Sequence, residues 1–220
     1  MENIVVVGSS GHAKVVLDIL EKQGTYHIAG LIDAIMPAGE RAFGYELLGA
    51  ESDLPGLVDR LKLRGCLIAI GDNWRRHLVA QKLMQLAPML DFVAAIHPSA
   101  QLGRGAMVGR GSVIMAGAAV NSDSRVGEFC IVNTHASLDH DSVMEDFSSL
   151  APNAATGGNV HIGAYSAISM GANIIHGRRV GRHSVIGAGA LVLEDLPDFT
   201  VAYGVPARVI RTRQAGDEYM

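Results

Sequence analysis

The sequence predicts a two-part chain: a small Rossmann-like α/β domain over residues 1–95, then a parallel β-helix of hexapeptide repeats over residues 96–220. Three observations carry this. Stepping six residues at a time from Ile96 to Val192 meets Ile, Leu or Val at fifteen of seventeen positions, the exceptions being Met144 and Thr156. Four residues after each of the first sixteen stands Ala, Ser or Cys, a rule broken only by Val160 and Arg178. A six-residue period fits neither a helix of about 3.6 residues per turn nor two-fold strand alternation, and marks stacked parallel coils. Before the hexads, apolar runs alternate with amphipathic segments, the pattern of a parallel sheet covered by helices.

The first domain is read in order. NIVVV (3–7) is a strand, Gly8-Ser9-Ser10-Gly11-His12 a tight turn, and AKVVLDILEKQG a helix. The unpaired N–H groups and positive dipole end of that helix make a seat for a phosphate. HIAGLIDA is a second strand closing at Asp33, placed to reach a ribose hydroxyl. CLIAIGDN, ending at Gly71-Asp72-Asn73, leads into the helix NWRRHLVAQKLMQL, and DFVAAIHP is the last strand. GSSGHA has Gly8 and Gly11 but not the three glycines of a dinucleotide fingerprint, which favours a nucleotide or nucleotide sugar. His12 is either a helix cap or a core histidine.

From His97-Pro98 onward, three strands per coil give about five coils. Rungs stack at about 4.8 Å, so residues eighteen apart lie over one another. After Gly204-Val205-Pro206-Ala207, the segment RVIRTRQAGDEYM is expected to form a short helix or strand covering the open end of the coil.

Composition narrows the function classes. Hydrophobic content of 49% with 18% charged residues excludes a disordered chain. A net charge of −4 provides no general attraction for nucleic acid or an anionic membrane, so neither is expected as a partner and any phosphate site is local. Cys66 and Cys130 lie far apart in apolar surroundings, which suits a reducing compartment. The start lacks a basic leader and a long apolar run, and a soluble cytoplasmic protein is expected.

The chemistry centres on Asp139-His140-Asp141. A carboxylate beside an imidazole raises its pKa and orients its tautomer, as a general base requires; either aspartate suits. Eighteen residues on, Gly158 puts no side chain over the imidazole, leaving room for a substrate and a backbone N–H to support an oxyanion. His176, two rungs from His140, is expected about 10 Å away, too far to share a metal ion. No metal is required. His27, His77 and His97 are read as structural, and His161 and His183 as surface residues. Arg178, Arg179 and Arg182, with Arg208, Arg211 and Arg213, are either a phosphate grip or a solvated face.

GSSGHAKVV, LIDA, IGDNWRR, NTHASLDHD, GGNVHIG, VIGAGALV and GVPAR together resemble the bacterial sialic acid O-acetyltransferase family and its relatives, the nucleotide-sugar N-acetyltransferases acting on 4-amino sugars such as the bacillosamine precursor. The resemblance covers essentially the whole chain. It implies a left-handed β-helix, a homotrimer with active sites at subunit interfaces, acetyl-CoA in the groove between coils, and a nucleotide sugar reaching in from the N-terminal domain. The family's base maps onto His140 and its partner carboxylate onto Asp141. Ser10, Gly11, His12, Asp33 and Gly71 match the nucleotide-sugar positions, and Ser149, Gly158, Met170 and Ala188 match those lining the acetyl-CoA groove. Relatives often carry a second histidine in place of Ser149 and a small residue in place of His135, and both departures bear on the acceptor.

The reading that follows is an acetyl-CoA-dependent N-acetyltransferase acting on a nucleotide-linked amino sugar in surface-glycan biosynthesis, by direct attack on the thioester with His140 as base. The alternatives are an O-acetyltransferase on sialic acid or a related sugar, a metalloenzyme of the carbonic anhydrase type, and a non-catalytic nucleotide-binding scaffold.

Overall fold

The computed structural model describes residues 1–218, so the last two positions of the expected C-terminal cover, Tyr219 and Met220, lie outside the described residues. The chain divides into two compact units, Met1–Pro98 and Ser99–Met220.

In the first unit, strands β1 (Glu2–Val7), β2 (Tyr26–Ile32), β5 (Leu63–Ile68) and β6 (Asp91–Phe92) form a sheet in the order β2-β1-β5-β6. All its pairings are parallel. Helix α1 (Gly11–Gln23) follows β1 and buries Ala13, Val16, Leu17, Ile19 and Leu20, the repeat of threes and fours that puts one helix face on a core. Gly24 ends it in the left-handed conformation, its N–H returning to Leu20 O. Helix α3 (Asn73–Leu86) starts at Asp72, whose carboxylate accepts from the N–H of Arg75 at 2.7 Å.

Two features were not legible in the sequence. A hairpin of β3 (Arg41–Ala42) and β4 (Tyr45–Glu46) follows β2, and a short helix α2 (Leu54–Leu61) precedes β5. Helix α2 contains Pro55 and Gly56 and buries only Leu54 and Leu57, too few positions to show a period.

The second unit is the β-helix. Two-residue strands occur every six residues and stack into three parallel sheets. One begins at Gln101–Leu102 and ends at Leu191–Val192, one begins at Met107–Val108 and ends at Arg179–Val180, and the third includes Val113–Ile114 through Val185–Ile186. Registers such as Val113↔Ile131 and Val143↔His161 confirm the eighteen-residue stacking. The hexad residues from Ile114 to Val192 are buried, and each aliphatic one contributes about 1.5–3 kcal/mol. Leu102 keeps the phase but is 43% exposed, since it lies on the edge strand of its sheet.

Where the small residue is serine, the rule has a hydrogen-bonding cause. Ser112 is fully buried; its hydroxyl donates to Gly127 O at 2.7 Å and accepts the N–H of Cys130 at 2.8 Å. Ser124, Ser142, Ser166 and Ser184 repeat the device, each accepting an N–H from the rung above. A larger side chain there would fill the corner and orphan main-chain groups.

One corner of the coil holds bulky residues in the left-handed conformation: Phe129, Phe147, Tyr165, His183 and, after the regular hexads, Phe199. Each costs about 1–2 kcal/mol relative to ordinary backbone. The rings form a continuous ladder with centroids 4.8, 5.4, 4.4 and 4.8 Å apart, and stacking plus burial offsets the strain. His183, expected as a surface residue, is a half-buried rung of this ladder, stacked between Tyr165 and Phe199. His161, expected likewise, pairs with Glu145 at 2.6 Å.

The last turn is shorter. Val185 pairs with Val201 and Val180 bridges to Leu196, sixteen residues apart rather than eighteen. Strand Thr200–Tyr203 then pairs antiparallel with Arg208–Thr212, which ends the sheet. Among the described residues, no helix is long and apolar enough to cross a membrane.

Candidate active site

The turn after strand Ser137–Leu138 carries Asp139, His140 and Asp141. Asp141 takes the left-handed conformation (φ 57°) and its Oδ2 lies 2.7 Å from Nδ1 of His140. Asp139 turns away from the ring: its Oδ1 accepts the N–H of His140 at 2.8 Å and Nδ2 of Asn121 at 2.7 Å. The two carboxylates therefore differ in task, one orienting the imidazole and the other bracing the turn. The hydrogen bond to Asp141 is the main cause that raises the His140 pKa, opposed by slight desolvation and helped by the charges of Asp139 and Asp141. The hydrogen bonds from Asn121 and the His140 N–H hold the Asp139 carboxyl below its usual range. The His140 side chain is 49% exposed, so its ring is open to a molecule from outside.

Gly158 lies on the next rung, and two expectations are corrected there. The space left by its missing side chain is not open, because the His140 ring lies across it: a β-carbon on Gly158 would collide with the imidazole. His176 is also nearer than two rungs imply. Its ring centroid is 6.2 Å from that of His140, because with glycine between them the two rings lean together. Gly158 O accepts from Gly177 N–H at 2.9 Å, and among the described residues no acceptor in the chain takes the Gly158 N–H. Also among the described residues, no cluster of three or more His, Cys, Asp or Glu could hold a metal ion.

The remaining coil residues fall elsewhere on the same unit. Ser149 begins strand Ser149–Leu150 on a different sheet from Ser137–Leu138, and Met170 and Ala188 stand on the turns that leave that other sheet. Met170 and Ala188 lie on adjacent rungs, linked by the Gly189 N–H to Met170 O at 2.9 Å, and both are exposed, Met170 by 61%. One copy of the chain brings His140, Asp141 and Gly158 together and leaves Ser149, Met170 and Ala188 apart from them.

The arginine cluster is answered by carboxylates. Arg182 pairs with Asp198 at 3.2 Å, Arg208 approaches Glu194 at 3.8 Å, and Arg178 approaches Asp195 at 3.9 Å. Arg213 is nearly buried and donates to His183 O. Three of the six arginines are thus answered by carboxylates, which weakens the cluster as an isolated basic patch of the kind a phosphate grip uses.

In the first unit, the turn from Gly8 to His12 joins β1 to α1 at the carboxyl ends of the strands. Gly8 has φ 112° and packs so tightly on Ala69 that a β-carbon would stand 2.9 Å from its carbonyl oxygen. Ser10 is the N-cap of α1 and Gly11 and His12 its first turn. Asp33 follows β2, and its carboxylate is already engaged: Oδ2 accepts from Ser9 Oγ at 2.5 Å and Oδ1 from the N–H of Ile35 at 2.8 Å. Burial pulls the Asp33 pKa up, but the bond from Ser9 and the backbone N–H groups outweigh it and hold the group low. Ser9 was missed in the sequence, where a serine in a glycine turn reveals no partner.

Gly71 is held by a buried arginine. Arg76 donates to Ile70 O and Gly71 O at 2.9 Å each and to Asn73 Oδ1 at 2.6 Å. Burial, with the nearby charge of Arg76, lowers the His12 pKa to about 4, so its imidazole is neutral at pH 7.

Comparison with known proteins fits this geometry. Residues 3–83 match the PglD N-terminal domain. The perosamine N-acetyltransferase of Caulobacter crescentus, solved as a histidine-to-asparagine variant with CoA and GDP-perosamine, is 35% identical over 96% of this chain and 98% of its own, with a TM-score of 0.89. The acetyltransferase domain of PglB from Neisseria gonorrhoeae is 30% identical over 96% of this chain and all of its own, with a TM-score of 0.86. UDP-N-acetylbacillosamine N-acetyltransferase of Bacillus subtilis is 33% identical over 53% of this chain and 52% of its own. The chain spans between 33% and 52% of the length of the curated relatives it matches.

A hexapeptide coil with a carboxylate-paired histidine on one corner is the framework of a hexapeptide-repeat acyltransferase. More particularly, the chain belongs to the family of sugar N-acetyltransferases that join a PglD-type N-terminal domain to such a coil.

Proposed function

We propose that the chain is an acetyl-CoA-dependent N-acetyltransferase acting on the amino group of a nucleotide-linked amino sugar. The observation that carries this is the 2.7 Å contact between His140 Nδ1 and Asp141 Oδ2. A neutral ring that donates from Nδ1 keeps its lone pair on Nε2, the nitrogen free to take a proton. As the substrate amine adds to the thioester carbonyl, His140 Nε2 removes its proton, and the Gly158 N–H supports the oxyanion of the tetrahedral intermediate. Collapse forms the amide and expels the CoA thiolate, which the imidazolium can reprotonate. No covalent enzyme intermediate is needed.

Ser10, Gly11, His12, Asp33 and Gly71 would hold the nucleotide end, with the α1 N-terminus facing phosphate and Asp33 facing a ribose hydroxyl. Ser149, Gly158, Met170 and Ala188 would line the acetyl-CoA groove. The separation of Ser149, Met170 and Ala188 from His140 within one copy supports a homotrimer whose sites form between neighbouring subunits. The two free, buried cysteines suit a soluble cytoplasmic enzyme.

The test is an assay of CoA release and product mass with GDP-, UDP- and dTDP-linked 4-amino sugars beside free sialic acid. An N-acetyl amide on a nucleotide-linked sugar is expected. Acetyl ester on sialic acid with no amide product would overturn the reading.

A further inference from the structure

Thr156 is the one hydroxyl-bearing residue among the seventeen hexad positions that otherwise fill the coil with Ile, Leu, Val and Met. It is buried, at 7% exposure. Burying a hydroxyl in an apolar interior costs about 1–3 kcal/mol unless it is hydrogen-bonded, so its partner matters. That partner is the main-chain N–H of Asp139, which donates to Thr156 Oγ1 at 3.0 Å.

This bond replaces a rung of the ladder. At the equivalent positions on the same sheet, Gly103, Asn121, Gly157 and Ile175 donate their N–H to the main-chain carbonyl seventeen residues ahead, at 2.7, 2.9, 2.8 and 3.2 Å. Asp139 addresses the same residue but takes its side chain instead. The pairing shows the consequence: Ser137 pairs with Ala155, while the Leu138–Thr156 pair found at neighbouring rungs of that sheet is missing. The ladder departs from its pattern directly before the residue that carries the base.

We propose that Thr156 is a positioning residue for His140: by drawing the Asp139 N–H onto its hydroxyl, it sets the height and tilt of the turn that presents His140 and Asp141. The following peptide is held too, since Ser124 Oγ donates to Asp139 O at 2.6 Å. The Asp139 side chain then ties back to the His140 N–H and to Asn121. Asp139 is thus fixed through both of its flanking peptides, and the imidazole settles over Gly158, two residues beyond Thr156. The charged and titratable groups near the ring are Asp141, which bonds it, His176, and Asp139, whose carboxylate is turned to the main-chain N–H but whose charge still reaches it.

The inference rests on the acetyltransferase reading for its kinetic consequence but not for its geometric one, and the experiment separates them. Thr156→Val keeps the shape, restores the hexad rule and removes the acceptor; Thr156→Ala removes it with loss of volume; Thr156→Ser keeps it. The first readout is the titration of the His140 ring by proton NMR in the full chain, its signal identified by its loss in His140→Gln. The valine and alanine variants should move that midpoint towards the ordinary value of about 6.5, and the serine variant should match the wild type. The second readout is kinetic: about tenfold or greater loss of kcat in Thr156→Val with KM for acetyl-CoA unchanged, restored in Thr156→Ser. Unchanged titration in the valine and alanine variants, or a serine variant as impaired as valine, would overturn the proposal. So would failure of both valine and alanine variants to fold, since the hydroxyl would then be structural. If the titration moves as expected while the wild type acetylates no nucleotide-linked amino sugar, the functional reading falls and the positioning role stands.

Discussion

The rings of His140 and His176 lie 6.2 Å apart, centre to centre, although the two residues are separated by a full intervening rung. Gly158 occupies that rung and has no β-carbon to hold the rings apart. Its backbone is not in the left-handed region, and the nearest atoms a β-carbon there would meet are those of the His140 imidazole. Gly158→Ala should therefore fold normally but push the His140 ring out of line. Misplacement of a reacting group by about 1 Å can cost about 10²-fold, and a loss of that order in kcat is expected, with a melting temperature close to the wild type.

Removal of His140 is the direct test of its proposed role as base. A positioned general base is worth about 10²–10⁴ in rate, so His140→Ala should lose that much in kcat. Because the ring is half exposed, the variant should keep its circular dichroism spectrum and melting temperature. Near-normal turnover would remove His140 from the mechanism.

The pH profile follows from the Asp141 contact. His140 has a raised pKa, with the Asp141 hydrogen bond as its main cause, and only the neutral ring accepts a proton. Activity should thus rise with pH through a midpoint above about 6.5. Asp141→Asn should shift that limb to lower pH while reducing the plateau. The stability sign is opposite: a raised folded-state pKa favours the fold at acid pH, below the unfolded value, and that contribution is lost as pH rises through the folded value. A pH–rate profile of both proteins, alongside melts at the same pH values, checks the two directions.

In the first unit, the buried Arg76 donates to the Ile70 and Gly71 carbonyls. Hydrogen bonds to charged groups are worth about 1.5–3 kcal/mol, and buried acceptors left unpaired add a further penalty. Arg76→Ala should destabilise this unit by about 3 kcal/mol or more. Trp74, the only tryptophan of the chain, lies in α3 beside it and reports on this unit alone in a denaturant titration followed by fluorescence. A transition midpoint at the wild-type value would show that the carbonyls find other donors.

Much of the site was readable because the coil converts sequence spacing into distance. With eighteen residues per turn, Gly158 had to fall over His140, and the structure puts it there. The same rule misjudged His176, since it counts rungs and not side-chain direction. It was also silent on which aspartate meets the ring: Asp139 and Asp141 are equivalent neighbours in sequence, and only the left-handed turn at Asp141 separates them. Ser9 and Arg76 carried no spacing signal at all, because their partners, Asp33 and the Ile70–Gly71 carbonyls, are set by how strands and turns pack.

By itself the sequence determined the architecture, the phase of the hexads and the corner on which His140 stands, because a β-helix repeats one local geometry and leaves a periodic trace. Tertiary structure alone decided how those residues are used. The direction of the Asp141 carboxylate, the ring lying across Gly158, and the choice of the Thr156 hydroxyl over its carbonyl as the acceptor for Asp139 all depend on side-chain rotation and hydrogen-bond competition, which no period records.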